Sequence, residues 1–168
     1  MSYQEHRDQA RAISARCAVI TLSDTRTRET DKSGQRIHAL LHDVGHAVGH
    51  YEILKDDAAL LRPVVLQLLG DTSIDVILTT GGTGIAKRDV TVDAIDALLD
   101  QPLPGFGELF RMLSWQQIGS GAMMSRAIGG IAKGKVVFAM PGSTAAVELA
   151  MTKLILPELP HLLSELRR

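Results

Sequence analysis

Four short runs rich in valine and isoleucine recur along the chain, at 17–22, 48–54, 74–79 and 136–140, and each has the length of a β-strand. Three are apolar almost without a break, the pattern of a strand covered by helices on both faces. The run at 48–54 carries His50 and Glu52 and belongs nearer a sheet edge. Between the runs the period changes. Ile37, Leu40, Leu41 and Val44 fall at i, i+3, i+4 and i+7, and Leu60, Leu61, Val64, Val65, Leu68 and Leu69 form a second stripe. The first two gaps between strands therefore each hold an amphipathic helix. Pro63 lies inside the second stripe, which predicts a helix that starts late or kinks there.

Strand and helix alternation over the first hundred residues predicts right-handed crossover units and an α/β fold, a mainly parallel sheet between helical layers. The pattern breaks over 102–134. There Pro102, Pro104, Gly105 and Gly107 lead into a helix through Phe110, Leu113 and Trp115, followed by a Gly/Ser/Met-rich stretch. This reads as an excursion between the third and fourth strands. After Ser143 the chain is helical again, with Pro157 and Pro160 setting off a short final helix. No internal repeat, low-complexity tract or linker interrupts it, so the division is a polar N-terminal extension, 1–15, and a single domain, 16–168.

Composition narrows the function classes. A chain of 168 residues makes one domain, large enough to bury about two-thirds of its unfolded surface. Its 18 Lys and Arg against 19 Asp and Glu, with no basic run, give no footprint for a phosphate backbone, so a nucleic-acid partner is not expected. The single cysteine, Cys17, excludes an intrachain disulfide and a Cys-rich zinc site, and points to a reducing, cytoplasmic compartment. The start carries Glu5, Arg7, Asp8 and Arg11 without an apolar core, and no apolar run approaches the ~20 residues of a membrane span, so no membrane partner is expected.

In an open parallel sheet, ligands gather at the carboxyl ends of the strands. The residues found there are Asp24 and Thr25 after the first strand, Asp56 and Asp57 after the second, Thr80, Gly81, Gly82, Thr83 and Gly84 after the third, and Pro141, Gly142 and Ser143 after the fourth. The glycines allow backbone N–H groups to approach a phosphate, and a helix starting near Thr91 aims its N-terminus at the same space. The loop is neither a Walker A loop nor a dinucleotide fingerprint. Lys87 and Arg88 add positive charge beside it, and Asp56 and Asp89 could share a magnesium ion. Cation, cradle and carboxylates together describe a phosphoryl- or nucleotidyl-transfer site. Each part also has a purely structural account: Asp56, Asp57, Asp89 and Ser143 stand where helix caps are expected, and the glycines could form a plain turn.

Other groupings carry less. His38, His42, His46 and His50 recur every four residues, but Gly45 and Gly49 interrupt any single helix face, so a zinc site is not expected. Ser120 and Ser125 lack the spacing of a nucleophile elbow, which leaves acyl transfer without support. Met112, Trp115, Met123 and Met124 read as packing or subunit-contact residues.

Several of these motifs stand in the order found in one family. Leu22-Ser23-Asp24-Thr25-Arg26, Thr79-Thr80-Gly81-Gly82-Thr83-Gly84 with Arg88-Asp89-Val90-Thr91, Pro104-Gly105-Phe106-Gly107-Glu108, Ser125-Arg126-Ala127 and Met140-Pro141-Gly142-Ser143 resemble the MoaB/Mog family of molybdenum cofactor biosynthesis proteins. The likeness runs over about residues 18–151, and Phe110-Arg111-Met112-Leu113-Ser114 with Ile118-Gly119 is closer to the MoaB branch. The resemblance implies a three-layer αβα sandwich with a mostly parallel central sheet, assembled as a homo-oligomer, either a trimer or a hexamer of two trimers. It implies a molybdopterin adenylyltransferase, in which magnesium-dependent transfer of AMP from ATP to the terminal phosphate of molybdopterin releases pyrophosphate. Asp56 and Asp89 match the family's metal-holding pair, and Arg88 would meet developing negative charge. Asp24, Thr25, Thr80, Gly81, Gly82, Thr83, Gly84, Ser125, Pro141, Gly142 and Ser143 would contact the small-molecule substrates. A molybdenum insertion protein is the implied macromolecular partner. Family members often carry proline before the first aspartate, where this chain has Lys55. Because some MoaB-branch members lack the aspartate pair, the resemblance also admits a non-catalytic molybdopterin-binding or scaffolding oligomer of the same pathway.

Overall fold

All four apolar runs become strands of one sheet in the computed structural model, which describes residues 2–168. They are β1 (Arg16–Leu22), β2 (Ala47–Leu54), β3 (Val76–Thr80) and β6 (Lys135–Met140), and each pairs parallel with its neighbour. Two strands that hydrophobic pattern alone does not reveal, β4 (Gln101–Pro102) and β5 (Ile128–Ala132), extend the sheet antiparallel beyond β6. The order is β2-β1-β3-β6-β5-β4, which puts the more polar β2 at an edge as its sequence predicts.

β5 escapes a pattern reading because its centre is Gly129-Gly130, a weak strand sequence. Tertiary packing favours the glycines: a Cβ on Gly129 would lie 2.5 Å from the Phe138 ring, and one on Gly130 2.8 Å from the Gln101 carbonyl oxygen. A two-residue turn at Lys133 (φ 47°) and Gly134 (φ 73°) joins β5 to β6, with both residues in the left-handed region that such hairpin turns require.

Helices α2 (Lys32–Asp43), α5 (Pro104–Ile118), α6 (Thr144–Ala150) and α7 (Leu156–Leu166) cover one face of the sheet, around Val19, Leu78, Phe138 and Met140. On the other face α3 (Ala58–Gly70) and α4 (Thr91–Asp96) pack over Ile20, Ile77 and Val137. The result is the three-layer αβα sandwich. α3 runs unbroken through Pro63, so it does not start late; the proline and Ala59, whose carbonyl loses its helical partner, are both exposed to water.

One expectation changes near the end of the chain. Pro157 and Pro160 do not set off a separate helix: α6 passes through a π-helical turn (Met151–Ile155) directly into α7. Pro157 is the second residue of α7, next to that π-helical turn. The described part of the polar extension is also structured. Helix α1 (Tyr3–Ala10) has a Ser2–Glu5 capping box and lies on α7, with Tyr3 bonded to Glu158 and Arg7 3.5 Å from the same carboxylate.

A buried carboxylate braces the loop after β1. Asp31 has no exposed surface; it accepts hydrogen bonds from the Thr21 hydroxyl and the Tyr51 phenol, both at 2.6 Å, and from the Gly34 N–H at 3.0 Å. Arg26 is 3.6 Å away and donates onward to the Gly142 carbonyl at 3.1 Å. Burial raises the Asp31 pKa, but these hydrogen bonds and Arg26 outweigh it and hold the carboxyl below its usual range. Stability from a depressed carboxylate is present above its ordinary pKa and is lost as pH falls through the folded value. Asp31→Asn is therefore expected to lose about 2 kcal/mol or more at neutral pH and to flatten the acid limb of the stability profile below about pH 4, read by thermal melts.

Candidate active site

The strand order reverses between β1 and β3, since β2 lies on one side of β1 and all later strands lie on the other. In an open sheet this is where the carboxyl-end loops part and leave a crevice. A cleft of about 260 Å³ opens there, lined by the 22–26 segment after β1, by Asp56 after β2, by Arg88 beyond β3 and by Gly142 after β6.

Glycines let these loops approach one another. Gly81 has φ +100°, and a Cβ on it would lie 2.3 Å from the Leu22 carbonyl oxygen. Gly82 follows at φ +65°, a second left-handed residue, so the chain turns sharply as it leaves β3. Gly81 donates its N–H to the Met140 carbonyl at 2.9 Å, so any anion seat in this loop begins at Gly82. On the β1 side, the Ser23 hydroxyl accepts from the N–H groups of Thr25 at 3.3 Å and Arg26 at 3.1 Å, a local turn that carries Asp24 to the rim.

The alternatives of capping and function separate cleanly at the adjacent aspartates. Asp57 is the cap of α3, accepting from the Ala59 N–H at 2.8 Å, which leaves Asp56 to face the cleft. Asp89 is not a helix cap either: Val90 occupies that position in α4, while Asp89 accepts from the Ala86 N–H at 2.9 Å within the preceding turn. α4 begins at Thr91 as expected but is only six residues long, too short for much of a macrodipole.

The other expected site residues divide in two. Asp24, Thr25, Arg88 and Gly142 line the cleft with Asp56. Thr80 is fully buried and its hydroxyl donates to the Pro141 carbonyl at 3.0 Å, tying β3 to the loop after β6. Thr83 is also buried. Ser143 caps α6 through the Ala146 N–H at 3.2 Å, and Ser125, next to the residue whose N–H meets the Thr83 carbonyl, does not line the cleft; its carbonyl accepts from Arg111 at 3.4 Å.

Around Asp56 the acids outweigh the opposing arginine. Burial raises the pKa of Asp56, and the carboxylates of Asp24 and Asp89 raise it further, against a smaller opposing effect of Arg88. Its backbone N–H donates to Asp24 Oδ1 at 3.2 Å, while its own Oδ1 is buried without a partner. An orphaned carboxylate oxygen repelled by two neighbouring acids is a fitting place for a divalent cation. Among the described residues no three His, Cys, Asp or Glu side chains converge as a closed metal cage. The donor set suits magnesium, which takes one or two carboxylates and completes its shell with water and phosphate oxygens.

One organising residue has no distinguishing mark in the sequence beyond its place in Ser125-Arg126-Ala127. Arg126 donates from Nε to the Gly84 carbonyl at 2.9 Å, from Nη2 to the Asp89 carbonyl at 2.7 Å and from Nη1 to the Asp93 carboxylate at 3.2 Å. It thereby clamps both ends of the loop that bears Arg88 and Asp89. Arg126→Ala is expected to destabilise the fold by about 1–3 kcal/mol and to speed amide exchange over 84–90, measured by hydrogen–deuterium exchange.

Residues 18–161 match the family described as a probable molybdopterin binding domain. The chain is 58% identical over 169 residues to the Bacillus cereus protein named molybdenum cofactor biosynthesis protein B, with 100% of this chain and 99% of the relative aligned. A crystal structure of a molybdenum cofactor biosynthesis protein B superposes with a TM-score of 0.90 at 58% identity, covering 93% of this chain and 98% of the other. The tungsten cofactor synthesizing protein MoaB from Pyrococcus furiosus superposes with a TM-score of 0.82 at 36% identity, covering 92% and 98%. The sandwich and these likenesses agree, and the chain belongs to the molybdopterin-binding-domain family, in its MoaB branch.

Proposed function

We propose that this protein transfers AMP from ATP to the terminal phosphate of molybdopterin, releasing pyrophosphate, as a step of molybdenum cofactor biosynthesis. The observation that carries the reading is Asp56, a cleft carboxylate with a buried unpartnered oxygen, set among Asp24, Asp89 and Arg88. The names of the relatives support the pathway, and the family description supports the pterin.

In this reading a phosphate oxygen of molybdopterin attacks the α-phosphorus of ATP. The bond from that phosphorus to the α,β-bridging oxygen breaks, and pyrophosphate leaves. The nucleophile is already anionic at neutral pH, so the chain needs no general base; positioning and charge neutralisation carry the step. Asp56 and Asp89 would hold magnesium, which supplies charge neutralisation on the triphosphate when bound. The loop from Gly82 to Gly84 offers backbone N–H groups to phosphate oxygens, and Arg88 offers its guanidinium to the departing charge. Asp24 and Thr25, which line the same cleft, would contact the substrates.

Homo-oligomeric assembly belongs to the same reading. Met112, Trp115, Ile118 and Met123 are 52%, 61%, 64% and 81% exposed along α5 and the 3-10 turn after it, an apolar surface suited to a subunit contact. Among the described residues no helix is long and apolar enough to cross a membrane.

The test is pyrophosphate release from ATP and magnesium in the presence of molybdopterin, for the parent and for Asp89→Ala. Turnover in the parent that disappears in the variant, with pterin still bound, supports the transferase. A parent that binds pterin without releasing pyrophosphate would instead be a non-catalytic molybdopterin-binding protein of the pathway.

A further inference from the structure

Two buried oxygens in the site have no partner, and both border the same glycine. Thr91 Oγ1 and Asp56 Oδ1 each lack a hydrogen bond, and Thr91 retains only 1% exposure. A Cβ on Gly82 would lie 2.2 Å from Thr91 Oγ1 and 3.1 Å from Asp56 Oδ1, so the space of that missing side chain is walled by both. The Thr91 N–H donates to the Gly82 carbonyl at 3.2 Å, which pins the start of α4 against the loop.

A buried hydroxyl without a partner bears its full desolvation penalty, which a valine of the same shape would avoid. Capping does not account for it, since α4 has no side-chain cap and Thr91 lies one residue inside the helix. Asp24 and Asp89, the acids nearest in charge to Asp56, can only accept when ionised. Thr91 is the unengaged donor that borders the same space.

We propose that Thr91 is a positioning residue of this site: its hydroxyl donates toward Oδ1 of Asp56 through one bridging water across the space left by Gly82, and so holds the carboxylate that lines the cleft. The proposal rests on the place given to Asp56 in the site and not on the reaction assigned to it. Serine keeps the donor and should replace threonine; valine keeps the shape and should not.

A double-mutant cycle tests this in the full chain through thermal melts of the parent, Thr91→Val, Asp56→Ala and the double variant. If the bridge exists, Thr91→Val lowers the melting midpoint of the parent by about 2–4 °C, because Asp56 loses its donor. The same change raises the midpoint in the Asp56→Ala background, where the hydroxyl has no acceptor left. Manganese binding in the presence of ATP, followed by electron paramagnetic resonance, is expected to weaken about tenfold in Thr91→Val and to recover in Thr91→Ser. A rise of the midpoint in both backgrounds would overturn the proposal, as would a Thr91→Val protein that binds manganese as tightly as the parent. A parent without transferase activity would remove the proposed reaction and leave the stability cycle to decide Thr91.

Discussion

Asp56→Asn is expected to remove activity and strengthen the fold at the same time. Loss of one preorganised charge at a phosphoryl-transfer centre lowers turnover on the order of 10²–10³-fold, read as pyrophosphate release under saturating ATP and magnesium. The stability change has the opposite sign. Burial and the neighbouring acids raise the folded pKa of Asp56 above its ordinary value, so its ionised form is disfavoured by the fold. For such a group the folded-state advantage is full below the ordinary pKa and is lost as pH rises through the folded value. At pH 7 the parent bears that loss and the uncharged asparagine does not. The variant should therefore melt higher at pH 7, and the two should converge as pH falls below the ordinary carboxylate range near 4. Magnesium with ATP should raise the melting midpoint of the parent and leave the variant nearly unmoved. A variant that melts lower at neutral pH would show that Asp56 supports the fold rather than the site.

Gly81→Ala is the second large effect, and it acts on the backbone. With φ at +100°, any L-residue is strained by about 1–3 kcal/mol, and the new Cβ would lie 2.3 Å from the Leu22 carbonyl oxygen. That oxygen belongs to β1, so β1 and β3 must part where the cleft opens, a displacement of about another 1–3 kcal/mol. The expected drop in melting midpoint is roughly 10 °C, accompanied by loss of nucleotide binding. Gly105→Ala is the matched control. It lies in the first turn of α5 with nothing within 4 Å of the new Cβ, and should be neutral or stabilise by about 0.5–1 kcal/mol. Equal losses in both variants would contradict the close approach at Gly81.

The two glycines illustrate where sequence reading stops. Gly81 and Gly105 are the same letter, each inside a recognisable motif, but one faces a carbonyl oxygen of β1 and the other faces nothing. Asp56 and Asp57 are likewise adjacent and identical. The hydrogen bond from Ala59 makes one a cap, and the absence of any partner on Oδ1 marks the other for the cleft. A rule about helix starts applies to both until the helix is seen to begin at Ala58.

By itself the sequence determined whatever depends on period and chain direction. Continuous Val/Ile runs can satisfy their burial only as inner strands, helical stripes between them can cover only the sheet faces, and crossover connections bring every strand-end loop to one edge. That is why Asp24, Asp56, Arg88 and Gly142 could be named as candidates before any coordinates, and why they line one cleft. Tertiary structure alone decided the Gly129-Gly130 strand, the Asp31 brace, the Arg126 clamp and the placing of Thr91 Oγ1 and Asp56 Oδ1 on the same side-chain space beside Gly82. Each depends on groups that no period brings together: Phe138 against Gly129, Tyr51 against Asp31, Asp93 and the Gly84 carbonyl against Arg126. Close contacts and hydrogen bonds act over a few ångströms of space, and local sequence pattern carries no measure of that distance until the chain has folded.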